Sequence, residues 1–196
     1  EKTVSLARKP ISLLSASHEH YIIDFDHIES FNQLFYADDL FVCLGTTIKQ
    51  AGSRRRFKEI DKGYVIRAAK LFLEAGGKRI FLVSAQGANP NSKIFYNRIK
   101  GEIEESIKKL TAEECYIFRP SLLLGNRREY RITELLARKA FGLVNLILQP
   151  VTKNYVGTKK ADLVNAMIQC AINNSIKPGV FSNQKIKKIN RDERIE

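Results

Sequence analysis

Short apolar runs alternate along this chain with longer amphipathic stretches. Because neighbouring parallel strands need a crossover connection, strands separated by helices are typical of a parallel sheet that is covered on both faces. The pattern therefore predicts an α/β fold of the doubly wound, Rossmann type. The runs with the length and composition of strands are residues 3–7, 21–25, 40–44, 79–83 and 116–118.

Three stretches have the period of an amphipathic helix, at residues 60–75, 97–110 and 161–172. After the first of them, the pair Gly76 and Gly77 supplies a C-terminal stop. The third is expected to pack on the sheet through one apolar side. That side holds Val164, Met167, Ile168 and Ala171.

The length of 196 residues is that of one large domain. We expect residues 1–196 to form a single domain, with a mobile tail over residues 185–196. No stretch reaches the roughly 18 to 20 apolar residues that cross a bilayer, and no signal-type pattern is found. The sequence thus predicts neither membrane insertion nor secretion.

Three cysteines, Cys43, Cys115 and Cys170, fall in apolar stretches without metal-site spacing. They are expected to be buried free thiols in a reducing, cytoplasmic environment. The early histidines His18, His20 and His27 have no nearby set of zinc ligands, and two of them fall in a predicted loop before the second strand. No metal site is predicted.

The formal net charge of +12 raises the possibility of an anionic partner such as nucleic acid. The basic clusters are scattered, and none is interleaved with aromatic residues as in a single-strand binding face. Solvated surface charge is the favoured interpretation, and nucleic acid is not the expected partner.

The glycine-rich turn G-x-G-x-x-G, which binds pyrophosphate in dinucleotide-binding folds, does not occur in the sequence. In such a sheet the first strand lies in the centre and carries this turn. If residues 3–7 form the second strand, a further strand must pair between them and residues 40–44. We therefore predict that a strand-turn-helix unit precedes residue 1.

The helix predicted at residues 97–110 carries the chemistry. At about 100° per residue, Tyr96 and Lys100 share the arc of Ile99, Ile103, Ile107 and Leu110, which faces the sheet. An ammonium on an apolar stripe must be paired or must face a polar cleft. A lysine one turn from a tyrosine stabilises the phenolate and so favours proton transfer. Ser84 follows the strand at residues 79–83, where open α/β sheets bind ligands.

Ser84 with Tyr96-x-x-x-Lys100 resembles the catalytic set of the short-chain dehydrogenase/reductase superfamily. Further blocks resemble its atypical branch of Tat-interacting oxidoreductase-like proteins, and the resemblance runs from about residue 4 to residue 189. These blocks are Cys43-Leu44-Gly45-Thr46-Thr47, Ala51-Gly52-Ser53, Ser84-x-x-Gly87-Ala88, Phe95-Tyr96-x-x-x-Lys100-Gly101-Glu102-x-Glu104 and Arg119-Pro120-x-x-Leu123-Leu124-Gly125-x-Arg127-x-Glu129-x-Arg131.

The resemblance implies roles for these residues. Tyr96 would move the proton, Lys100 would also bind the nicotinamide ribose, and Ser84 would orient a substrate carbonyl. The resemblance also implies that Asp24 and Phe25 lie by the adenine. Strand-end segments would line the cofactor at Leu44, Gly45 and Thr46 and the nicotinamide amide at Pro120, Ser121 and Leu122.

The residues at the end of the second strand of a Rossmann fold indicate which cofactor is bound. A basic residue there suits the 2′-phosphate of NADP, and an acidic residue suits the 2′-hydroxyl of the NAD ribose. The chain offers Arg8 and Lys9, which favours NADP over NAD. The expected function is an NADP-dependent oxidoreductase that acts on a small carbonyl compound, as a monomer or homodimer.

The alternatives are structural or regulatory. Tyr96 could be a core aromatic, Lys100 could extend its ammonium to solvent, and Ser84 could cap a turn. Asp24 could be a turn former and Arg8 a surface charge. Arg127, Glu129 and Arg131 could shape a substrate entrance or form an exposed ion-pair network. The whole protein could bind NADP(H) without turnover, as a regulator or scaffold.

Overall fold

A computed structural model describes residues 2–11, 15–111, 114–124 and 157–192. The proposed entrance residues Arg127, Glu129 and Arg131 lie outside these ranges.

Eight strands and six α-helices make up the regular structure of the described residues. The strands are β1 (Thr3–Ala7), β2 (His18–Ile22), β3 (Asp39–Val42), β4 (Arg79–Val83), β5 (Cys115–Arg119), β6 (Leu123–Leu124), β7 (Thr158–Lys159) and β8 (Gly179–Ser182). The α-helices are α1 (Ile48–Ala51), α2 (Arg54–Lys58), α3 (Tyr64–Glu74), α4 (Phe95–Thr111), α5 (Lys160–Ile172) and α6 (Asn183–Asp192), with a 3₁₀ segment at Phe25–Phe35 and a π-helical turn at Glu59–Gly63.

The strands form separate sheets in the described part of the chain. β1 pairs with β2 in parallel, and β3 pairs with β4 in parallel within a sheet of order β3-β4-β5-β8. A third, two-stranded parallel sheet joins β6 and β7. These parallel pairs and the intervening helices confirm the α/β prediction. Within the described residues no strand pairs between β1 and β3, so the predicted additional strand stays a prediction.

β1 and β4 have the predicted bounds, whereas β2 ends three residues earlier than predicted. The cause is local capping, because the Asp24 side chain accepts a hydrogen bond of 3.0 Å from the N–H of Asp26 and starts the 3₁₀ segment at Phe25. The apolar residues of the predicted strand at 23–25 therefore enter the core from a turn and a helix.

The chain divides by its internal contacts into two compact units. The first consists of Glu1–Leu82 with Ala88–Tyr116. Its core packs the buried sides of α3 and α4 and the strand β4. An aromatic ladder crosses its strands, since the ring of Phe81 stacks on Phe41 at 4.5 Å and on Tyr116 at 4.7 Å between centroids.

The second unit consists of Val83–Gly87 with Ile117–Glu196. The predicted apolar side of α5 is wrong by one position, because Val164 and Ile168 are 52% and 46% exposed. The residues of α5 that are buried are Leu163, Ala166, Met167 and Cys170. Residues 185–192 belong to α6, which buries Ile186, and the mobility of the tail stays a prediction.

All three cysteines are free thiols. Cys115 and Cys170 are buried as predicted, whereas Cys43, directly after β3, is exposed. Among the described residues, no helix combines the length and the apolar character needed to cross a membrane.

Candidate active site

Helix α4 places Tyr96 and Lys100 on the side that the sequence predicted. Ile99, Ile103 and Ile107 are buried, and Lys100 is buried with them at 6% exposure. Tyr96 is half-buried at the start of the helix. The predicted apolar arc is confirmed except at its end, where Leu110 is 36% exposed in the last turn of the helix.

Gly101 lets this helix approach the loop that precedes it. A Cβ built on Gly101 would lie 2.2 Å from the backbone nitrogen of Pro90 and 2.3 Å from the carbonyl carbon of Asn89. The loop is held to the helix by a hydrogen bond of 3.0 Å from the N–H of Asn89 to the carbonyl of Asn97. The position of α4, and with it that of Tyr96 and Lys100, therefore depends on the absence of a side chain at Gly101.

The ammonium of Lys100 is paired with a buried carboxylate. Lys100 Nζ lies 2.8 Å from Asp61 Oδ2, and Asp61 is 1% exposed. Asp61 Oδ1 accepts a hydrogen bond of 2.7 Å from the backbone N–H of Thr46. Oδ2 has no hydrogen-bond donor of good geometry, so the contact with Lys100 is an ion pair. Pairing is the condition under which a lysine and an aspartate can remain charged in an apolar interior.

Asp61 is the site residue that the sequence analysis missed. It lies in the π-helical turn Glu59–Gly63, which leads into α3. A signal for it exists in the sequence, because Asp61 precedes Val65 by four residues and Ala68 by seven, on the buried side of α3. An acidic residue on an apolar stripe indicates a buried partner of opposite charge.

The segment after β3 lies over this ion pair. A Cβ built on Gly45 would be 3.7 Å from Asp61 Oδ2 and 3.9 Å from Lys100 Nζ. Thr46 is buried, whereas Gly45 is exposed and Leu44 is half-buried. Two of the three residues predicted to line the cofactor, Gly45 and Thr46, are thus brought together with Lys100.

Two neighbours define the surroundings of the Tyr96 ring. The Nζ of Lys100 lies 5.9 Å from its centroid, which is within the range of a cation–π contact. The ring of Phe57, which is fully buried in α2, lies 6.1 Å away in a tilted arrangement. The phenol ring therefore has one aromatic and one charged side chain as neighbours.

Ser84 and the segment at Pro120–Leu122 belong to the second unit. Ser84 is buried at the end of β4, and its N–H donates to the carbonyl of Phe118 at 2.8 Å. Pro120 is buried, Ser121 is half-buried and Leu122 is exposed. The grouping of Ser84 with Tyr96 and Lys100 stays a prediction.

A buried polar chain adjoins Ser121 in the second unit. The N–H of Ser121 donates to Thr158 Oγ1 at 3.0 Å, and the Thr158 hydroxyl donates to Asn183 Oδ1 at 2.6 Å. Thr158 and Asn183 are both buried. A small cavity of about 250 Å³ is lined by Gln86, Gly87, Arg119, Ser182, Asn183 and Gln184.

Arg8 and Lys9 are exposed directly after β1. The carbonyl of Lys9 lies 3.1 Å from His20 Nε2, which must donate to it. In a neutral imidazole His20 Nδ1 then accepts from the Ser5 hydroxyl, 2.8 Å away. A hydrogen-bonded chain across β1 and β2 therefore fixes the backbone beside Arg8.

Asp24 is a turn former in this structure, which was one of its two predicted roles. Besides capping the 3₁₀ segment, its Oδ2 lies 2.8 Å from Nδ1 of His27, whose hydrogen bond lowers the pKa of the Asp24 carboxyl. Phe25 is buried and stacks on the Tyr64 ring at 5.6 Å between centroids. The adenine contact implied by the resemblance stays a prediction for both residues.

His18 and His20 lie in β2, so the prediction that they belong to a loop is wrong. They are half-buried and flank Ser5, which lies opposite His20 in the β1–β2 register. No group of three or more histidine, cysteine, aspartate or glutamate side chains that could hold a metal ion occurs in the part of the chain that the structure describes.

A polar network next to Asp24 joins the 3₁₀ segment to helices α2 and α3. Arg56 donates two hydrogen bonds to the Asp26 carboxylate, at 2.7 and 2.6 Å, and the Tyr64 hydroxyl donates to Asp26 Oδ1 at 2.7 Å. These hydrogen bonds, that of Arg56 first, hold the pKa of Asp26 well below its usual range. Burial and the bond to Asp26 raise the pKa of Tyr64 to about 12.

Two curated relatives connect the chain with known proteins. It is 31% identical over 177 residues to Protein HTATIP2 of Rattus norvegicus, and the match covers 87% of this chain and 69% of the relative. It is 38% identical over 127 residues to the mitochondrial protein FMP52 of Candida albicans, with 65% of this chain and 51% of the relative covered. No protein-family model matches the chain.

Solved structures share the fold. A short-chain dehydrogenase/reductase superfamily protein from Agrobacterium tumefaciens with bound NAD superposes with a TM-score of 0.63 at 12% identity, covering 91% of this chain and 68% of that one. A dTDP-4-dehydrorhamnose reductase from Bacillus anthracis in complex with NADP gives a TM-score of 0.57 at 18% identity, covering 91% and 73%. At these identities the comparison shows a Rossmann-like fold.

Proposed function

Because the chain belongs to the HTATIP2 and FMP52 family, an atypical branch of the short-chain dehydrogenase/reductase superfamily, we propose that it is an NADP(H)-dependent oxidoreductase. Its reaction would be hydride transfer to a carbonyl-type acceptor, with Tyr96 as the proton donor. The observation that carries this proposal is the half-buried Tyr96 phenol with the Lys100 ammonium 5.9 Å from its ring centroid.

The residues present fit an NADP(H) cofactor. Because Gly45 has no side chain, no atom beyond the backbone covers the Lys100 ammonium at position 45. This suits the close approach of a ribose hydroxyl to the ammonium. Arg8 offers an exposed guanidinium at the end of β1 for a phosphate. Lys100, Gly45, Thr46 and Arg8 would therefore hold the cofactor.

In the proposed reaction the Tyr96 hydroxyl gives its proton to the oxygen of the acceptor carbonyl and is left as a phenolate. Lys100 stabilises the phenolate through its positive charge. Ser84 donates a hydrogen bond to the same carbonyl oxygen, and solvent returns a proton to Tyr96 Oη. When bound, the nicotinamide supplies the hydride that the carbonyl carbon receives, so that the product is an alcohol.

Preference for NADP over NAD is part of the proposal. Of the two solved structures compared, one contains NAD and the other NADP. Support for NADP comes from the basic pair Arg8 and Lys9 at the strand end that contacts the ribose in Rossmann folds. The hydrogen bond from His20 to the Lys9 carbonyl gives this pair a fixed backbone.

We also propose that a strand-turn-helix unit with a glycine-rich turn completes the sheet and binds the pyrophosphate. Each of β1 and β3 has one strand neighbour among the described residues. Phe41 of β3 is 44% exposed, although its neighbour Phe81 is buried. The family member from rat extends beyond the segment that matches this chain, since the match covers 69% of it.

The direct test is a titration of the protein with NADPH followed by an assay of NADPH oxidation with aldehydes, ketones and quinones. We expect NADPH to bind more tightly than NADH and at least one acceptor to be reduced. Failure of NADPH to bind to the full chain would refute the proposal.

A second candidate is an NADP(H)-binding regulatory or scaffold protein that performs no turnover. The observation that favours it is the Asp61–Lys100 ion pair, because a carboxylate 2.8 Å from the ammonium offsets the charge that would stabilise a phenolate. Tight NADPH binding without oxidation by any acceptor in the panel would favour this function over the enzyme.

The cellular location and assembly are separate proposals. The sequence favours the cytoplasm, whereas the Candida relative is named a mitochondrial protein. Fractionation of cells that express the full chain decides between these locations.

A monomer or homodimer is expected, and light scattering measures which of them forms. Nucleic acid is not an expected partner, and oligonucleotide binding at low salt would contradict that.

A further inference from the structure

Cations without carboxylate partners are concentrated in the two segments that surround Tyr96. Residues 47–58 and 88–100 hold eight lysines and arginines and no aspartate or glutamate. Three of the eight have a carboxylate nearby, at Arg56, Lys58 and Lys100. The other five have no carboxylate within 4.0 Å in the described part of the chain; they are Lys49, Arg54, Arg55, Lys93 and Arg98.

Two of these five cations are held in place by one aromatic ring. The guanidinium carbon of Arg54 lies 5.3 Å from the centroid of Phe95, and that of Arg98 lies 5.8 Å from it. Both distances are in the range of a cation–π contact. Arg98 is further fixed because its Nη1 donates to the carbonyl of Ser92 at 2.8 Å. These two arginines are therefore more restrained than solvated surface charges.

Phe95 directly precedes Tyr96, and both rings pack on the same side chain. The Phe57 centroid lies 5.6 Å from that of Phe95 and 6.1 Å from that of Tyr96. Phe57 is fully buried, so this contact fixes both rings relative to α2. The two guanidiniums therefore lie over the ring of the residue that directly precedes the proposed proton donor in α4.

We propose that Arg54 and Arg98 form a subsite for an oxyanion of the substrate, a carboxylate or a phosphate. This rests on the proposed function and makes the acceptor an anionic carbonyl compound. A planar guanidinium donates paired hydrogen bonds that match such an anion. The donors are accessible, since Arg54 is exposed and Arg98 half-buried. The excess of positive charge in these two segments also attracts an anionic substrate over a distance.

The phosphates of the cofactor have the same chemistry as a substrate oxyanion, so the test separates the two sources. The probes are 4-carboxybenzaldehyde and its methyl ester, which differ in the negative charge. Their binding to the NADP⁺-loaded full chain is measured by calorimetry, where no hydride is available for turnover. NADPH affinity is measured in parallel. The variants are the pair Arg54→Gln with Arg98→Gln and, as a control of equal charge change on the same helix as Arg98, Lys108→Gln with Lys109→Gln.

The expected result is that the wild type and the control bind the acid about tenfold more tightly than the ester, as paired charge-assisted hydrogen bonds allow. In the arginine variant this preference falls to less than about twofold, with NADPH affinity unchanged. A preference that survives in the arginine variant, or no preference in the wild type, overturns the subsite. Loss of NADPH affinity equal to the loss for the acid also overturns it, because the cations then serve the cofactor.

Failure of the proposed function has a different signature. If no carbonyl compound supports NADPH oxidation while the charge preference is present and depends on Arg54 and Arg98, the oxidoreductase is refuted and the anion subsite stands.

Discussion

The Nζ of Lys100 lies 2.8 Å from Oδ2 of Asp61, and both side chains are almost completely buried. This ion pair joins helix α4 to the π-helical turn before α3, and through Thr46 it also joins the segment after β3. Three chain segments that belong to the candidate site are thus fixed by one carboxylate. Its energetic role and its chemical role lead to separate predictions.

Asp61→Asn is expected to destabilise the fold by about 3–5 kcal/mol, because it leaves the buried Lys100 ammonium without a counter-charge. The double variant Asp61→Asn with Lys100→Met removes both charges and should recover part of that loss. Chemical denaturation at neutral pH measures the free energy of unfolding of the wild type, of Asp61→Asn, of Lys100→Met and of the double variant. Additive effects of the two substitutions would contradict an energetic coupling between the side chains.

Gly101→Ala is expected to lower stability by about 1–3 kcal/mol, since the added methyl group meets the backbone of Asn89 and Pro90. The same substitution should reduce NADPH oxidation, because α4 must shift and carries Tyr96 and Lys100 with it. Glu105→Ala, on the exposed side of α4, is the control and should leave both quantities nearly unchanged. Unaltered stability of Gly101→Ala would show that the loop moves away without consequence.

Arg8→Ala is expected to weaken NADPH binding by about 10- to 100-fold, the range for loss of charge-assisted hydrogen bonds to a phosphate. NADH binding should change by less than about twofold, because NADH lacks the 2′-phosphate. Fluorescence titration with each cofactor measures the two affinities, and Lys78→Ala is a control with the same loss of charge at an exposed position. Equal losses for both cofactors would exclude Arg8 as the 2′-phosphate ligand.

Tyr64→Phe is expected to cost about 1–2 kcal/mol at neutral pH through loss of the hydrogen bond to Asp26. The pKa of Tyr64 is raised to about 12 in the folded protein, above the ordinary tyrosine value of about 10. Its contribution is therefore present below pH about 10 and is lost as the pH rises toward 12.

Denaturation curves between pH 7 and pH 11 measure this effect. The stability difference between wild type and Tyr64→Phe should be constant up to pH about 10 and should shrink above it. A difference that grows with pH would contradict the assigned direction of the pKa.

The parts of the fold with strong periodic patterns could be predicted from the sequence. β4 and the buried side of α4 are of this kind, because a fully buried strand and an apolar stripe with a lysine in it leave few alternatives. The end of β2 could not be predicted in this way, since the Asp24 cap competes with strand formation. The apolar side of α5 was misassigned because Leu163, Ala166 and Cys170 form a second apolar row next to the predicted one.

The candidate site also contains residues that could be predicted from the sequence and residues that could not. Tyr96 and Lys100 follow from helical spacing, which is a local property of the chain. The role of Asp61 depends on its contact with Lys100, which is far from it in sequence. In the sequence itself, only the position of an acidic residue on an apolar stripe indicates that role. The subsite of Arg54 and Arg98 likewise depends on Phe95, which joins two segments about 40 residues apart.

The most direct test of the account is the effect of Tyr96→Phe on NADPH binding and on NADPH oxidation in the same preparation. The substitution removes one hydroxyl group and keeps the ring that packs on Phe57. We expect NADPH affinity to stay within about threefold of the wild type and the turnover rate to fall by at least about 100-fold, as for loss of a general acid. Oxidation of NADPH at the wild-type rate by Tyr96→Phe would contradict the proposed mechanism.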